Sequence, residues 1–292
     1  MAYQKRDTSS GGPHPLVDVV AAFCGPYLGA FIVAFIFMLC LWTLIVHWSL
    51  VAPQLLYSTP SFGIFLVVMH QYIHWGVVMS LYNAVRTDPG YVDKDFSPEL
   101  KAQQEKLEGK ICLKCPCYKP ERTHHCSQCK RCVLRMDHHC VFVNNCVGMG
   151  NYKFFVLLLV YTAIGGVWNA YCDYVWLYAG PPKLRDPKVI VMSNAIVILV
   201  VGFILAPFAI FHVYLAARNT TTLEALKGKI GVHDQDILRN LRQAFGRRWW
   251  LWLSPVHPAW GGAEVGSRAS DPLLAPLDLE EGQHGRRMDS SS

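Results

Sequence analysis

Residues 112–146 read CLKCPCYKPERTHHCSQCKRCVLRMDHHCVFVNNC. These 35 residues hold eight of the eleven cysteines and four of the twelve histidines of a 292-residue chain. The order is Cys112-x2-Cys115, then His124-His125-Cys126-x2-Cys129-x2-Cys132, then His138-His139-Cys140, and finally Cys146. A two-residue gap lets one tight turn offer two sulfurs to the same ion, and zinc takes four N or S ligands in a tetrahedron. A single such pair is weak. Two of them, followed by further Cys and His in so short a stretch, predict two zinc sites. Structural zinc supplies on the order of 10–16 kcal/mol of apparent binding energy, enough to fold a segment that lacks apolar periodicity. The run Asp137-His138-His139-Cys140 also sets a thiol beside an imidazole and a carboxylate, a set that metal binding does not fully use up.

Outward from this segment the chain is apolar. It is 52% hydrophobic and 16% charged, outside the range of ordinary soluble domains. The runs Leu28–Val46, Gly63–Tyr82, Phe154–Tyr178 and Val189–Leu215 each reach the ~20 residues a helix needs to cross a ~30 Å hydrocarbon layer. The expected class is all-α integral membrane, with helices at 27–48, 63–82, 152–178 and 189–215. A two-zinc Cys-rich domain at 111–151 separates the second from the third. Residues 1–26 form an N-terminal segment, 83–110 a linker, 216–260 a C-terminal region and 261–292 a disordered tail. The first run is too long and too far from the start for a signal peptide.

Lys and Arg number two before the first span, twelve between the second and third, and ten after the fourth. The other two loops hold none and three. Both termini and the Cys-rich domain are therefore expected in the cytosol. The formal charge of +6 lies on that side, facing anionic headgroups or an anionic cofactor. A reducing cytosol disfavours disulfides, which makes metal ligation the default for these cysteines. Cys24, Cys40 and Cys172 lie in or near spans and read as packing residues. His70 and His74 share a helix face; polar contacts to a neighbouring helix are the first reading and a metal pair the second. Asp173, near the far interface, is expected to reach water.

Local signals fill in the rest. Asp88-Pro89-Gly90 is a turn that stops the second span. Ser97–Lys110 reads as a short solvated helix, and Thr220-Thr221-Thr222-Leu223-Glu224 as a capped helix start. Residues 236–245 place Ile237, Leu238, Leu241 and Phe245 on one face. Trp249, Trp250, Trp252 and Trp260 suit the headgroup level. Gly165-Gly166, midway along the third span, predict either close helix packing or an open end to a cavity among the spans.

The stretch Cys112–Phe155 resembles the Asp-His-His-Cys (DHHC) protein S-acyltransferases, the palmitoyltransferases. The four-span layout is similar to that family's, as are Asp88-Pro89-Gly90 and Thr221-Thr222-Leu223-Glu224, its TTxE element. Asn240 to Gly246 resembles, more loosely, its C-terminal Asn-x-x-x-Val-Phe element. The resemblance implies one zinc site of Cys112, Cys115, His125 and Cys132, and another of Cys126, Cys129, His139 and Cys146. Cys117 is left over. It further implies that Cys140 attacks the thioester of a fatty acyl-CoA such as palmitoyl-CoA, with His138 as base and Asp137 orienting the ring. The acyl group then passes to a cysteine of a cytosolic or membrane-associated substrate protein. Thr222, through a hydrogen bond to Asp137, and Asn240 are supporting residues. Lys119, Arg122 and His124 match basic positions suited to the CoA phosphates, with a solvated cationic loop as the alternative. The family's commonest homes are the Golgi and the endoplasmic reticulum.

One departure is visible. Val141-Phe142 stands where the family has Pro-Trp, which leaves the backbone after the thiol less constrained. A zinc-organised membrane scaffold without catalysis is the rival class. No nucleic-acid partner is expected, because no recognition helix is evident and the segment is tied to the bilayer at both ends. A transporter would want ionisable groups near the midplane, which only His70 and His74 hint at.

Overall fold

Long apolar helices dominate the computed structural model, which describes residues 15–92, 111–115, 117–179 and 185–257. The helix expected over Ser97–Lys110, Trp260 and the tail 261–292 lie outside the described residues. The chain divides into two compact units. One comprises the chain up to Arg86 with His139–Cys146 and Phe154–Val213; the other comprises Thr87–His138, Val147–Lys153 and the chain from Tyr214 on.

In the first unit α1 (Pro15–Val46) runs through a π-helical stretch, His47–Val51, into α2 (Ala52–Ser58). A break at Thr59 leads to α3 (Pro60–Arg86), and α4 (Tyr152–Ala179) and α5 (Arg185–Ala217) follow. Tyr27–Ser58, Pro60–Arg86, Tyr152–Tyr178 and Pro187–Ala217, of 32, 27, 27 and 31 residues, are long and apolar enough to cross a bilayer. The connection between the first two, expected as a loop, is thus largely helical. Packing explains it: Ala52 and Leu55 bury themselves in a core with Val46, Val51, Leu66, Val67 and Trp176. Gly63 permits the tight return, because the Leu55 carbonyl stands where a Cβ would project.

The second and third spans are both the less apolar and the more buried of the four, as polar side chains within a membrane must face protein. Asp173 Oδ2 accepts from Asn169 Nδ2 at 2.8 Å and from Asn194 Nδ2 at 2.9 Å. The expectation that Asp173 reaches water is therefore corrected: it ties α4 to α5. Gly166 serves close packing, since a Cβ there would lie 2.8 Å from the Gly202 Cα. A Cβ on Gly165 would meet the Ile73 side chain at 3.2 Å.

The Cys-rich segment is not helical. It forms two-stranded sheets β1 (Ile111–Cys112) with β2 (Cys117–Tyr118), β3 (His124–Cys126) with β4 (Arg131–Val133), and β5 (His138–Cys140) with β6 (Asn145–Val147). The expected all-α class is corrected on this point to mostly helical. Closely spaced ligands require sharp reversals, and the left-handed backbone of Lys130 (φ 55°), between Cys129 and Cys132, supplies one. Asp88-Pro89-Gly90 forms a turn in which Asp88 Oδ1 accepts from the Gly90 and Tyr91 N–H groups, each at 2.8 Å. Gly90, at φ 101°, then offers its carbonyl to Leu134 N–H at 2.8 Å. After the spans in chain order come α6 (Thr222–Leu226), α7 (Ile237–Phe245) and a 3₁₀ turn at Trp249–Leu251. Lys153 fixes that turn by donating from Nζ to the carbonyls of Leu251 (2.8 Å) and Val256 (3.0 Å).

Candidate active site

Side chains alternate across a strand, so β5 turns His138 and Cys140 to one face and His139 to the other. Cys140 is buried. Asp137, just ahead of β5, is fully buried, and its N–H donates to the Val147 carbonyl at 2.8 Å. Its carboxylate is held from both sides. Oδ2 lies 2.7 Å from His138 Nδ1 and accepts from Thr222 Oγ1 at 2.8 Å, while Oδ1 accepts from the Thr222 N–H at 2.8 Å. A carboxylate at Nδ1 keeps the proton on that nitrogen, so Nε2 presents the lone pair.

Thr222 reaches Asp137 because α6 begins in a capping box. Thr221 Oγ1 accepts from Glu224 N–H at 3.3 Å, and Glu224 Oε2 accepts from Thr221 N–H at 2.8 Å. The same Glu224 receives Arg122 in a two-point pair, Nε to Oε1 at 2.6 Å and Nη2 to Oε2 at 2.8 Å. Burial alone would raise the Glu224 pKa, but the Arg122 and Thr221 hydrogen bonds and the charges of Arg122 and His233 outweigh it and hold it below the ordinary carboxylate value. Arg122 is thus engaged by Glu224, and by Asn219 through Nη1 to Oδ1 (3.0 Å) and Nη2 to the backbone carbonyl (2.9 Å).

Asn219 is a residue the sequence reading missed. Its Oδ1 also accepts from Arg135 Nη2 at 2.7 Å, and its Nδ2 donates to the His233 carbonyl (2.8 Å) and to Gln243 Oε1 (2.9 Å). Arg135 is pushed down to about 10 by burial and then by the nearby Arg122 charge, and so stays protonated at neutral pH. The signal in the sequence is an Asn two residues past an apolar helix that ends at Ala217, where a left-handed residue ends helices; Asn219 has φ 45°. Asn240, expected as a supporting residue, is fully buried. It donates from Nδ2 to the Ala217 carbonyl at 2.7 Å and to Asp234 Oδ1 at 2.5 Å.

Eight ligand side chains gather in two groups, Cys112, Cys115, His125 and Cys132, and Cys126, Cys129, His139 and Cys146. In each, one donor atom per residue lies within 4.8 Å of the others. Donors 2.0–2.3 Å from a tetrahedral zinc stand roughly 3.3–3.8 Å apart. His125 Nδ1 is 2.9, 3.7 and 4.0 Å from the sulfurs of Cys115, Cys112 and Cys132, and His139 Nδ1 is 3.7 Å from that of Cys146. Both donor sets fit structural zinc. The register of β3 on β4 sets His125 opposite Cys132, which explains how one site draws on both strands. Cys117 is buried and pairs across strands with Cys112 without joining either set.

Of the three expected basic contacts, Lys119 and His124 are half-buried. Burial, then the charges of Lys227 and Lys119, lower the His124 pKa. Lys227, absent from the sequence reading, joins the group that way. Val141 and Phe142, the departure next to Cys140, are exposed.

A family model described as DHHC palmitoyltransferase matches residues 105–229. Among curated relatives, probable protein S-acyltransferase 13 of Arabidopsis thaliana is 35% identical over 249 residues, covering 72% of this chain and 82% of that protein. Probable protein S-acyltransferase 15 of the same plant is 33% identical over 202 residues, covering 61% and 78%. Palmitoyltransferase ZDHHC15A of Danio rerio is 33% identical over 211 residues, covering 65% and 59%. With its two metal-ligand groups, its four bilayer-length helices and relatives matched over most of their length, the chain belongs to the DHHC palmitoyltransferase family.

Proposed function

We propose that the protein is a membrane-embedded S-acyltransferase that moves a fatty acyl group from acyl-CoA to cysteines of other proteins through an acyl-Cys140 intermediate. The observation that carries this is the Asp137–His138 pair, 2.7 Å apart and held by Thr222, two residues from a thiol on the same strand face. His138 Nε2 takes the Cys140 proton, and the thiolate attacks the acyl carbonyl. The bond to CoA sulfur breaks, and the CoA thiolate recovers the proton from His138. In the second half His138 deprotonates the acceptor cysteine, which attacks acyl-Cys140, and Cys140 leaves and regains its proton. Asp137 stays ionised throughout and stabilises the imidazolium. Each step exchanges one thioester for another, so positioning matters more than driving force. Zinc in the two Cys/His groups supplies rigidity, holding His139 and Cys146 on either side of the nucleophile.

Lys119 and His124, with Lys227, face the CoA phosphates in this scheme. Arg122, proposed from the sequence for the same task, instead acts by holding Glu224 and Asn219. A buried 16-carbon chain gains roughly 12 kcal/mol at ~0.8 kcal/mol per CH₂, so the tail belongs among the spans. The excess of Lys and Arg in the loops supports a cytosolic face for the Cys-rich domain, and the Golgi or endoplasmic reticulum is the proposed membrane.

The deciding experiment incubates purified full-length protein with palmitoyl-CoA and measures hydroxylamine-sensitive label on the chain. Label on the native chain, its loss in Cys140→Ser and two zinc ions retained in both are expected. A native chain that takes no label would overturn the proposal in favour of a zinc-organised scaffold. Equal labelling of Cys140→Ser would overturn the assignment of the nucleophile.

A further inference from the structure

α3 carries His70 and His74 four residues apart, which sets both imidazoles on one helix face. A third imidazole, unforeseen from the sequence, lies against them. His47 stacks on His70 with ring centroids 3.5 Å apart and 5° between the planes. The His74 ring follows at 6.0 Å and 14° from that of His70. His47 opens the π-helical stretch between α1 and α2, a local geometry frequent at functional positions. The mount is fixed: Trp48 Nε1, one residue on from His47, donates to Gln71 Oε1, one residue on from His70, at 3.0 Å.

His47 is 1% exposed and His70 4%. Both ring nitrogens of His47 and Nε2 of His70 are buried without a hydrogen-bond partner among the described residues. Native structures satisfy nearly all such atoms, and an exception asks for an explanation. Packing alone supplies none, since an apolar residue of similar size would fill the same space without stranding polar atoms.

We propose that His47, His70 and His74 form a third metal site, within the spans, that takes one transition-metal ion of low charge, Cu(I) ahead of Zn(II). Neutral imidazole is a ligand for both, and three of them without a thiolate make a donor set unlike either Cys/His group. The rings of His47 and His70 are stacked 3.5 Å apart, so their donor nitrogens lie in parallel planes, and the three donors are not gathered as those of the two Cys/His groups are. Convergence on one point takes a turn of the rings about χ2, a soft torsion for histidine. The preference for the monovalent ion comes from the surroundings. His47 adjoins a core of Val46, Val51, Ala52 and Leu55, where a second positive charge would be costly to bury.

The three histidines lie far along α3 from the hairpin that carries Cys140. Asn145 Nδ2 donates to the carbonyls of Ala84 and Val85, each at 3.2 Å, so β6 meets α3 at its C-terminal end. His70 lies fourteen residues earlier on α3, about 21 Å along the axis.

The test is metal content per chain. Full-length protein purified in detergent is loaded in two arms, with Cu(I) under reduction and with Zn(II), and analysed for both elements. The expected result in the copper arm is two zinc ions and one copper per chain. His47→Ala and His70→Ala are each expected to lose the copper and keep both zincs. His212→Ala, which removes another buried histidine of the spans, should keep all three. X-ray absorption at the copper edge should show nitrogen neighbours only. A native chain with no third ion in either arm, copper retained in both variants, or sulfur bound to the copper would each overturn the proposal. If a variant loses its zinc and so fails to fold, the copper-edge spectrum of the native chain still decides. The readout does not involve acyl transfer, so its failure leaves the proposed enzymatic function standing.

Discussion

Thr222 grips both oxygens of the Asp137 carboxylate, giving its N–H to Oδ1 and its hydroxyl to Oδ2, each at 2.8 Å. A residue 85 positions further along the chain therefore decides how the carboxylate beside His138 is aimed. Asp137 also has no exposed surface, so protein groups rather than water hold its orientation, the two Thr222 donors among them. The TTxE element thereby acts on the DHHC element through one side chain and one backbone amide.

Thr222→Val removes the hydroxyl donor and keeps the N–H. A hydrogen bond to a charged group is worth about 1.5–3 kcal/mol. Acyl-enzyme formation should therefore slow by roughly tenfold to a hundredfold, with the apparent affinity for palmitoyl-CoA little changed. Thr222→Ser should restore most of the rate. Single-turnover labelling of Cys140 measures this; a Val variant as fast as the native chain would mean that Asp137 needs no such support.

Arg122 and Glu224 are a largely buried pair, with side chains 14% and 11% exposed. Removing one partner from a buried pair costs about 3–5 kcal/mol, because the other is left uncompensated. Arg122→Met alone should lower the thermal stability of the detergent-solubilised protein more than Arg122→Met combined with Glu224→Gln. Arg122→Lys should rescue only in part, since an ammonium cannot reproduce the two-point fork. If Arg122 served the CoA phosphates instead, the charge variants would change the KM for acyl-CoA and leave stability alone.

Glu224 also sets a pH dependence. Its folded pKa lies below the ordinary value of 4.5, so the proton binds more tightly to the unfolded chain. The stabilisation is then complete above the ordinary glutamate range and is lost as pH falls through the lower, folded value. Thermal stability measured from neutral pH downward should show a component that Glu224→Gln abolishes, with no difference in slope between the two proteins above pH ~6. A glutamine variant that follows the native acid profile throughout would refute the assignment.

Cys115 and Cys117 are two residues apart, yet only Cys115 belongs to a ligand group. Cys115→Ser should reduce zinc content from two ions to one per chain and destabilise the β1–β2 hairpin. Cys117→Ser should keep both ions. Elemental analysis of the two purified variants distinguishes them, and loss of zinc from Cys117→Ser would make Cys117 a ligand.

The spans and the cysteine spacing were legible because each is a local pattern, a run of apolar residues or a fixed gap between sulfurs. What stayed hidden depends on distant residues meeting. The hairpins of β1 to β6 show no two-residue apolar alternation, because ligands rather than a core dictate their side chains. His47 sits in an apolar run and gives no hint that it will stack on His70. Nothing in the sequence around Lys153 shows that it fastens the 3₁₀ turn by two carbonyls. Arg122 reads as a loop cation until Glu224 is placed beside it.

Asn219 offers the sharpest separation of backbone from side chain. Its left-handed backbone, φ 45°, is tolerated by Asn and Gly and strained in most other residues. Its amide meanwhile joins Arg122, Arg135 and Gln243. Asn219→Gly keeps the turn and deletes the amide, leaving two buried guanidinium groups short of an acceptor. Asn219→Ala deletes the amide and adds backbone strain of order 1 kcal/mol. Both should slow Cys140 acylation, because the start of α6 and hence Thr222 lose their anchor; Ala should be the less stable of the two by about that amount. Asn219→Asp returns an acceptor to both arginines and should recover acylation better than either. Should Gly match the native rate, the side chain would be a helix terminator alone, and the aim of Asp137 would rest on Arg122 and Glu224 without it.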